Sequence, residues 1–234
     1  MLSEAAAMFS TAVVEQLISK NAGIERKKMM TGRQVLVLAT RNAGKTREIR
    51  ELLKGFSVEI KNLDDLGSVP PIEEHGATFD ENAYEKASFA ARVLGLPALA
   101  DDSGLEVEAL GGAPGVHSAR YAGPNATDAE NSAKLLQEME GKTNRVATFV
   151  CVISIAVPSG VALTYEGRCE GLISEAPAGE NGFGYDPLFY YPPLNRTFAQ
   201  LSAEEKNRIS HRGKALAELK KEFENVLIWI RQRL

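Results

Sequence analysis

The sequence predicts an α/β fold, on three observations. Residues 35–39, Val-Leu-Val-Leu-Ala, form a short continuous apolar run, the mark of a strand buried on both faces. Capping-box patterns at Thr78/Glu81, Thr127/Glu130 and Ser202/Glu205 open helices further along the chain. A long apolar run at 146–157 faces a second at 161–168 across Pro158-Ser159-Gly160, which reads as a hairpin.

Length and charge bound what the protein does. The chain has 234 residues, enough for one large domain or two small ones. Its formal net charge of -4 gives no broad basic surface and argues against nucleic acid as the main partner. Cys151 and Cys169 lack paired metal-ligand spacing and are too few for a disulfide framework, which points to a reducing, cytoplasmic setting. No apolar run reaches membrane-spanning length.

Residues 1–33 read as an appendage to a folded domain at 34–234. Residues 5–18 carry Met8, Phe9, Val13, Val14, Leu17 and Ile18 at the spacing of a short amphipathic helix. Glu4 and Glu15 are out of keeping with a secretory signal. The run Glu25-Arg26-Lys27-Lys28 is a solvated charge cluster.

The first strand leads into Thr40-Arg41-Asn42-Ala43-Gly44-Lys45 and then a helix with Ile49, Leu52 and Leu53 on one side, ending near Gly55. Strand, glycine-containing loop and helix is the arrangement that offers backbone N–H groups to a phosphate, and Lys45 adds a positive charge. The segment nearly spells a P-loop, but Ala39 stands where its first glycine belongs, so a standard P-loop is excluded. A second strand is expected at 58–63. A polar loop containing Glu73, Glu74 and His75 precedes the helix opened by Thr78, which runs to about Leu94 with a small-residue face of Ala83, Ala87, Ala90 and Ala91 and stops at Gly95.

Ala100-Asp101-Asp102-Ser103-Gly104 is the centre of interest. Read alone, it is a strand end followed by a tight glycine turn, with one aspartate facing a cavity and the other bracing the loop. A carboxylate so placed can hold Mg2+ or orient a water. Residues 105–110 alternate like a half-buried strand, 111–115 form a shaped glycine/proline loop, and the helix opened by Thr127 ends before Gly141. The glycines around Phe183 in residues 179–187 leave its ring free to stack on a base, with Asp186 as a hydrogen-bonding group. In one unbroken helix Lys206 and His211 would diverge by roughly 140°. Either the helix breaks at Ser210, a good N-cap, or the two residues serve different ends of a long ligand. Leu216, Leu219 and Phe223 form a core stripe.

Taken together, residues 35–219 closely resemble the inosine/xanthosine triphosphate pyrophosphatases, which hydrolyse deaminated purine nucleoside triphosphates. The resemblance rests on the Thr40 to Lys45 loop, Thr78-Phe79-Asp80-Glu81-Asn82-Ala83, Ala100-Asp101-Asp102-Ser103-Gly104-Leu105, Gly112-Ala113-Pro114-Gly115-Val116, Ser118-Ala119-Arg120-Tyr121, Gly182-Phe183-Gly184-Tyr185-Asp186-Pro187 and Ser210-His211-Arg212-Gly213, in that order. It implies an elongated α/β fold: a mixed central sheet flanked by helices, in two lobes with the active-site cleft between them. It also implies a homodimer and a requirement for Mg2+.

By the same resemblance, Thr40, Arg41, Asn42, Ala43, Gly44, Lys45 and Lys206 hold the triphosphate. Asp102 is the catalytic, metal-binding carboxylate and Glu74 the second metal ligand. Ser103 contacts substrate, and Phe183, Gly184, Tyr185, Asp186, His211 and Arg212 form the base pocket. Arg41, His75 and His117 depart from the residues usual in the family. Water would attack the triphosphate with pyrophosphate leaving, a reaction that needs charge neutralisation and positioning more than covalent catalysis. Two other classes share parts of the pattern. A P-loop kinase or ATPase is disfavoured by Ala39. A non-catalytic nucleotide-binding regulator is disfavoured by the intact set of Asp102, Lys206, His211 and Arg212.

Overall fold

The structure, a computed structural model, describes residues 33–66 and 75–234. The helix expected at residues 5–18 and the acids Glu73 and Glu74 lie outside the described residues.

Strand β1 (Gln34–Leu38) is buried along its whole length. It lies parallel to β2 (Val58–Asn62) on one side and to β3 (Ala98–Val107) on the other. Helix α1 (Ala43–Leu52) connects β1 to β2. The short helix α2 (Leu63–Leu66) and the long α3 (Phe79–Leu94) lie between β2 and β3. Successive residues of β1 point to opposite faces. Leu36 and Leu38 therefore pack with Ile49 of α1 and with Leu53, and Val35 and Val37 pack with Ala87, Ala90 and Leu94 of α3. Helices thus cover both faces, and the chain leaves β1 towards one neighbour and later returns beside the other. Such a reversal opens a crevice beyond the carboxyl ends of the strands, where α/β proteins bind ligands.

The rest of the chain extends the sheet in antiparallel fashion. Helix α4 (Asp128–Glu138) follows the short strand β4 (Pro114–Gly115). Next come β5 (Val146–Ala156), β6 (Ala162–Ile173), β7 (Phe189–Tyr191) and β8 (Arg196–Thr197), and the chain closes with α5 (Ala203–Ile209) and α6 (His211–Arg231). The strand order is β2-β1-β3-β5-β6-β7-β8, with β4 on β3. This mixed sheet flanked by helices is the expected α/β architecture. The expected hairpin is present, in register from Ala156↔Ala162 to Val146↔Leu172. All three capping boxes form, at Thr78, Thr127 and Ser202.

One expectation fails. Asp101 to Gly104 is not a strand end with a turn but the middle of β3, which pairs with β5 from Ala98↔Ala156 to Val107↔Ala147. Gly104 serves close approach rather than turning: a Cβ there would lie 2.5 Å from the Gly115 carbonyl oxygen, 2.6 Å from Ser118 Oγ and 2.7 Å from the Phe79 ring. On its other side β3 meets β1 only at Val37↔Ala98 and Leu38↔Leu99, and meets β4 from Leu105↔Gly115 onward. Among the described residues, the edge of β3 at Ala100 to Gly104 is left unpaired between them.

Candidate active site

Three structures converge on that open edge. The first is the loop after β1. Asn42 caps α1, its Oδ1 accepting from the Lys45 amide at 3.1 Å, and its own amide donates to Thr40 Oγ1 at 3.2 Å. The amides of Ala43 and Gly44 stand in the first turn, where no intrahelical acceptor exists. Arg41 is exposed at the loop's tip. Lys45 Nζ lies 2.8 Å from Asp101 Oδ2.

The second is β3 itself. Asp101 faces α1 and α6, where Lys45, Arg212 (3.4 Å) and Ser103 Oγ (3.2 Å) all meet its Oδ2. Burial alone would raise the Asp101 carboxyl, but Lys45 and Arg212 outweigh it and hold the group well below its ordinary value of 3.8. Asp101 is thus a fixed anion. Asp102 faces the opposite side, towards α3. There Lys86 Nζ approaches its Oδ1 at 2.9 Å and Asn82 Nδ2 its Oδ2 at 3.1 Å, all three residues being buried. Asn82 also accepts the Gly76 amide at 2.8 Å. Glu74 itself lies outside the described residues. The Cys151 thiol, buried behind Asp101, is pushed up to about 11 by burial and then by that carboxylate, and is unreactive.

The third is the loop 181–187 with the start of α6. Phe183 is 48% exposed, and its amide donates to Asp186 Oδ2 at 2.9 Å. Tyr185 is buried, its hydroxyl donating to the Ser118 carbonyl at 2.8 Å. Gly184, at φ +61°, donates its amide to Asp128 Oδ2 at 2.7 Å. Lys206 Nζ ion-pairs with Asp186 and stands 4.7 Å from the centroid of the Phe183 ring; the Arg212 guanidinium stands 5.7 Å from the same ring. The helix does break at Ser210, which ends α5 and caps α6 through the Gly213 amide, so Lys206 and His211 reach one cavity despite their spacing. His211 stacks on Phe149 at 4.7 Å with 13° between planes. Burial, then Arg212 and Lys206, holds its imidazole neutral, well below its ordinary 6.5.

A cavity of about 300 Å³ joins the first and third sets; Asn42, Lys45, Ser103, Phe183, Gly184, Tyr185, Asp186, Lys206, His211 and Arg212 all line it. Asp102 does not, since it faces the other side of β3. Lys45 and Lys206 pair with different acids, and Lys206 stands with the aromatic loop. Arg212 reaches further than expected, spanning from the Phe183 ring to Asp101 and to Glu48 at 3.3 Å.

Sequence reading missed Asn82, Lys86, Asp128 and Phe149. A signal existed for Lys86: it follows Asn82 by four residues and sits beside Ala83, Ala87 and Ala90 on the buried face of α3, where an unpaired cation would be costly. Asp128 and Phe149 carry no such local signal.

Comparison with known proteins places the chain in a family. Residues 36–222 match the model of the Ham1 family. A dITP/XTP pyrophosphatase of Syntrophobacter fumaroxidans is 62% identical over 199 residues, covering 85% of this chain and 86% of that protein. One of Desulfotalea psychrophila is 59% identical over 200 residues, 86% of this chain and 90% of its own. Among solved structures, a HAM1 protein from Coxiella burnetii superimposes with a TM-score of 0.79 at 48% identity, over 82% of this chain and 99% of that one. The chain belongs to the Ham1 family, in agreement with the resemblance drawn from its motifs.

Proposed function

We propose that this chain is a nucleoside triphosphate pyrophosphohydrolase that converts ITP, dITP and XTP to the monophosphate and pyrophosphate, keeping these nucleotides out of DNA and RNA. The names of its relatives support the substrate class. We further propose a cytoplasmic homodimer; no helix among the described residues is long and apolar enough to cross a membrane. One observation carries the reading. The open edge of β3 has a lysine–aspartate pair on each face, Lys45–Asp101 and Lys86–Asp102, and a half-exposed aromatic ring across the adjoining cavity.

In this reading the phosphates lie along the open edge. The α1 amides, Lys45 and Lys86 neutralise them. Phe183 stacks on the base, with Lys206, Asp186, His211 and Arg212 around its rim. Asp102, oriented by Lys86 and Asn82, accepts the proton of the attacking water. Pyrophosphate then leaves and the monophosphate is released. A neutral His211 and a cationic Arg212 can donate to a 6-keto oxygen, whereas the amino group of adenine would leave those donors unpaired.

The residues suit Mg2+ bound together with substrate. No group of three or more metal-ligating side chains occurs among the described residues. Mg2+ commonly takes only one or two carboxylates and fills its shell with phosphate and water. Asp102 is a buried carboxylate beside the open edge of β3, and a carboxylate oxygen is the kind of hard donor that Mg2+ takes. Asp102 and Glu74 would hold the ion. Once bound, it would neutralise phosphate charge and acidify a coordinated water.

The test is a panel of nucleoside triphosphates with Mg2+, scored for pyrophosphate. ITP, dITP and XTP are expected to be cleaved far faster than ATP or GTP. Equal kcat/KM for ITP and ATP, or orthophosphate as the product, would reject the reading.

A further inference from the structure

The ring of Phe183 lies between two glycines in left-handed backbone, Gly182 at φ +81° and Gly184 at φ +61°. Each is a position about which the ring could swing, because neither carries a Cβ to restrict it. Within the loop, Phe183 and Asp186 bond to each other in both directions, which sets the local turn but does not aim it. The Gly184 amide reaches outside the loop, to Asp128 Oδ2 at 2.7 Å.

Asp128 is well suited to this task. It is the first residue of α4, whose N-terminus is already capped by Thr127 with Glu130. It is exposed, and it lines the cavity beside Gly184. The helix behind it is firmly mounted: Leu135 is fully buried, and Asn131 accepts the Ala122 amide at 2.8 Å and donates to the Ala119 carbonyl at 3.2 Å. Asp128 therefore offers a charged acceptor on a rigid base to the amide next to the exposed ring.

We propose that Asp128 is a positioning residue for base binding: by holding the Gly184 amide it fixes the plane of the Phe183 ring. This rests on the nucleotide-hydrolysis reading above for its kinetic consequence, but not for its structural one. The carboxylate acts as an acceptor, not as a net charge, so asparagine should replace it and alanine should not.

The experiment compares wild type, Asp128→Ala and Asp128→Asn. For Asp128→Ala, KM for ITP should rise about tenfold, the order expected for one lost hydrogen bond, with a smaller change in kcat. The inhibition constant of inorganic tripolyphosphate, which has a tail and no base, should stay within about twofold of wild type. Asp128→Asn should recover most of the KM. Amide hydrogen exchange at residues 182–185 should quicken in Asp128→Ala and not in Asp128→Asn. Three results overturn the proposal: an asparagine variant as impaired as the alanine one, tripolyphosphate binding that weakens in step with ITP, or unchanged exchange at 182–185 in Asp128→Ala. The exchange measurement needs no substrate. It therefore judges the tether even if wild type releases no pyrophosphate from ITP, an outcome that would reject the nucleotide reading alone.

Discussion

Asp101 and Asp102 are neighbours in the chain, yet their carboxylates bond to different lysines on opposite faces of β3: Asp101 to Lys45 at 2.8 Å, Asp102 to Lys86 at 2.9 Å. The alternation of a strand separates them. Asp101 also receives Arg212, so it is enclosed by cations, while Asp102 stands with Asn82, which also accepts the Gly76 amide. The two acids should therefore fail in different ways.

Asp102→Asn is expected to lower kcat by roughly 10² to 10⁴, the usual worth of a positioned acid–base group, and to lower the melting temperature as well, because it leaves the buried Lys86 facing a neutral amide. Lys86→Met should lower kcat as well, and the double variant should lose less than the sum of the two, because both act at one carboxylate. Steady-state kinetics of the three proteins and their thermal unfolding check this. Strict additivity would separate Lys86 from the role of Asp102.

Asp101→Asn should act first on stability. It leaves Lys45 and Arg212 facing a neutral amide in a buried site, and breaking a buried pair from one side costs about 3–5 kcal/mol. Urea unfolding at pH 7 is the measurement. A loss below about 1 kcal/mol, the range of a surface ion pair, would show that solvent reaches the site.

His211 sets an expected pH dependence. The groups acting on it are Arg212, Lys206 and Lys45, which disfavour its protonated form, and Asp101, which favours it; burial exceeds them all. Its pKa is lower in the folded state than in the unfolded, so below about 6.5 the unfolded chain binds more protons. Stability then falls as pH drops. His211→Gln should flatten the stability curve between about pH 6.5 and 5. An unchanged slope would mean that the imidazole is solvated.

Gly104→Ala is expected to destabilise the protein by about 1–3 kcal/mol, the cost of forcing atoms into a filled site, because the added methyl meets the Gly115 backbone and the Phe79 ring. Thermal unfolding measures it. A neutral effect would mean that β4 can move away from β3.

Much of this was legible because it is local. A capping box needs only two residues three apart, and those at Thr78, Thr127 and Ser202 all form. The break at Ser210 was one of two readings, and it is the one realised. Gly104 was misread because glycine has two uses, turning and close approach, and only the packing of Gly115, Ser118 and Phe79 distinguishes them. The grouping of Lys206 with Asp186, and of Asp128 with Gly184, joins segments far apart in sequence, and no short-range pattern records such contacts. Strands β7 and β8 are too short to show a period.

The two helices that begin at the cavity have a consequence for how the protein meets a polyanion. Both α1 and the 21-residue α6 direct their N-termini at it, and each end carries a partial positive charge from its backbone. Lys45, Lys206 and Arg212 add to that field. The chain as a whole has a net charge of -4. A polyanion approaching from bulk therefore meets a chain of net negative charge and, at this cavity, a locally positive mouth. Such electrostatic funnelling is a property of the encounter rate and fades as salt shortens the Debye length. Turnover at saturating substrate should hold nearly constant between low and physiological ionic strength, while kcat/KM declines.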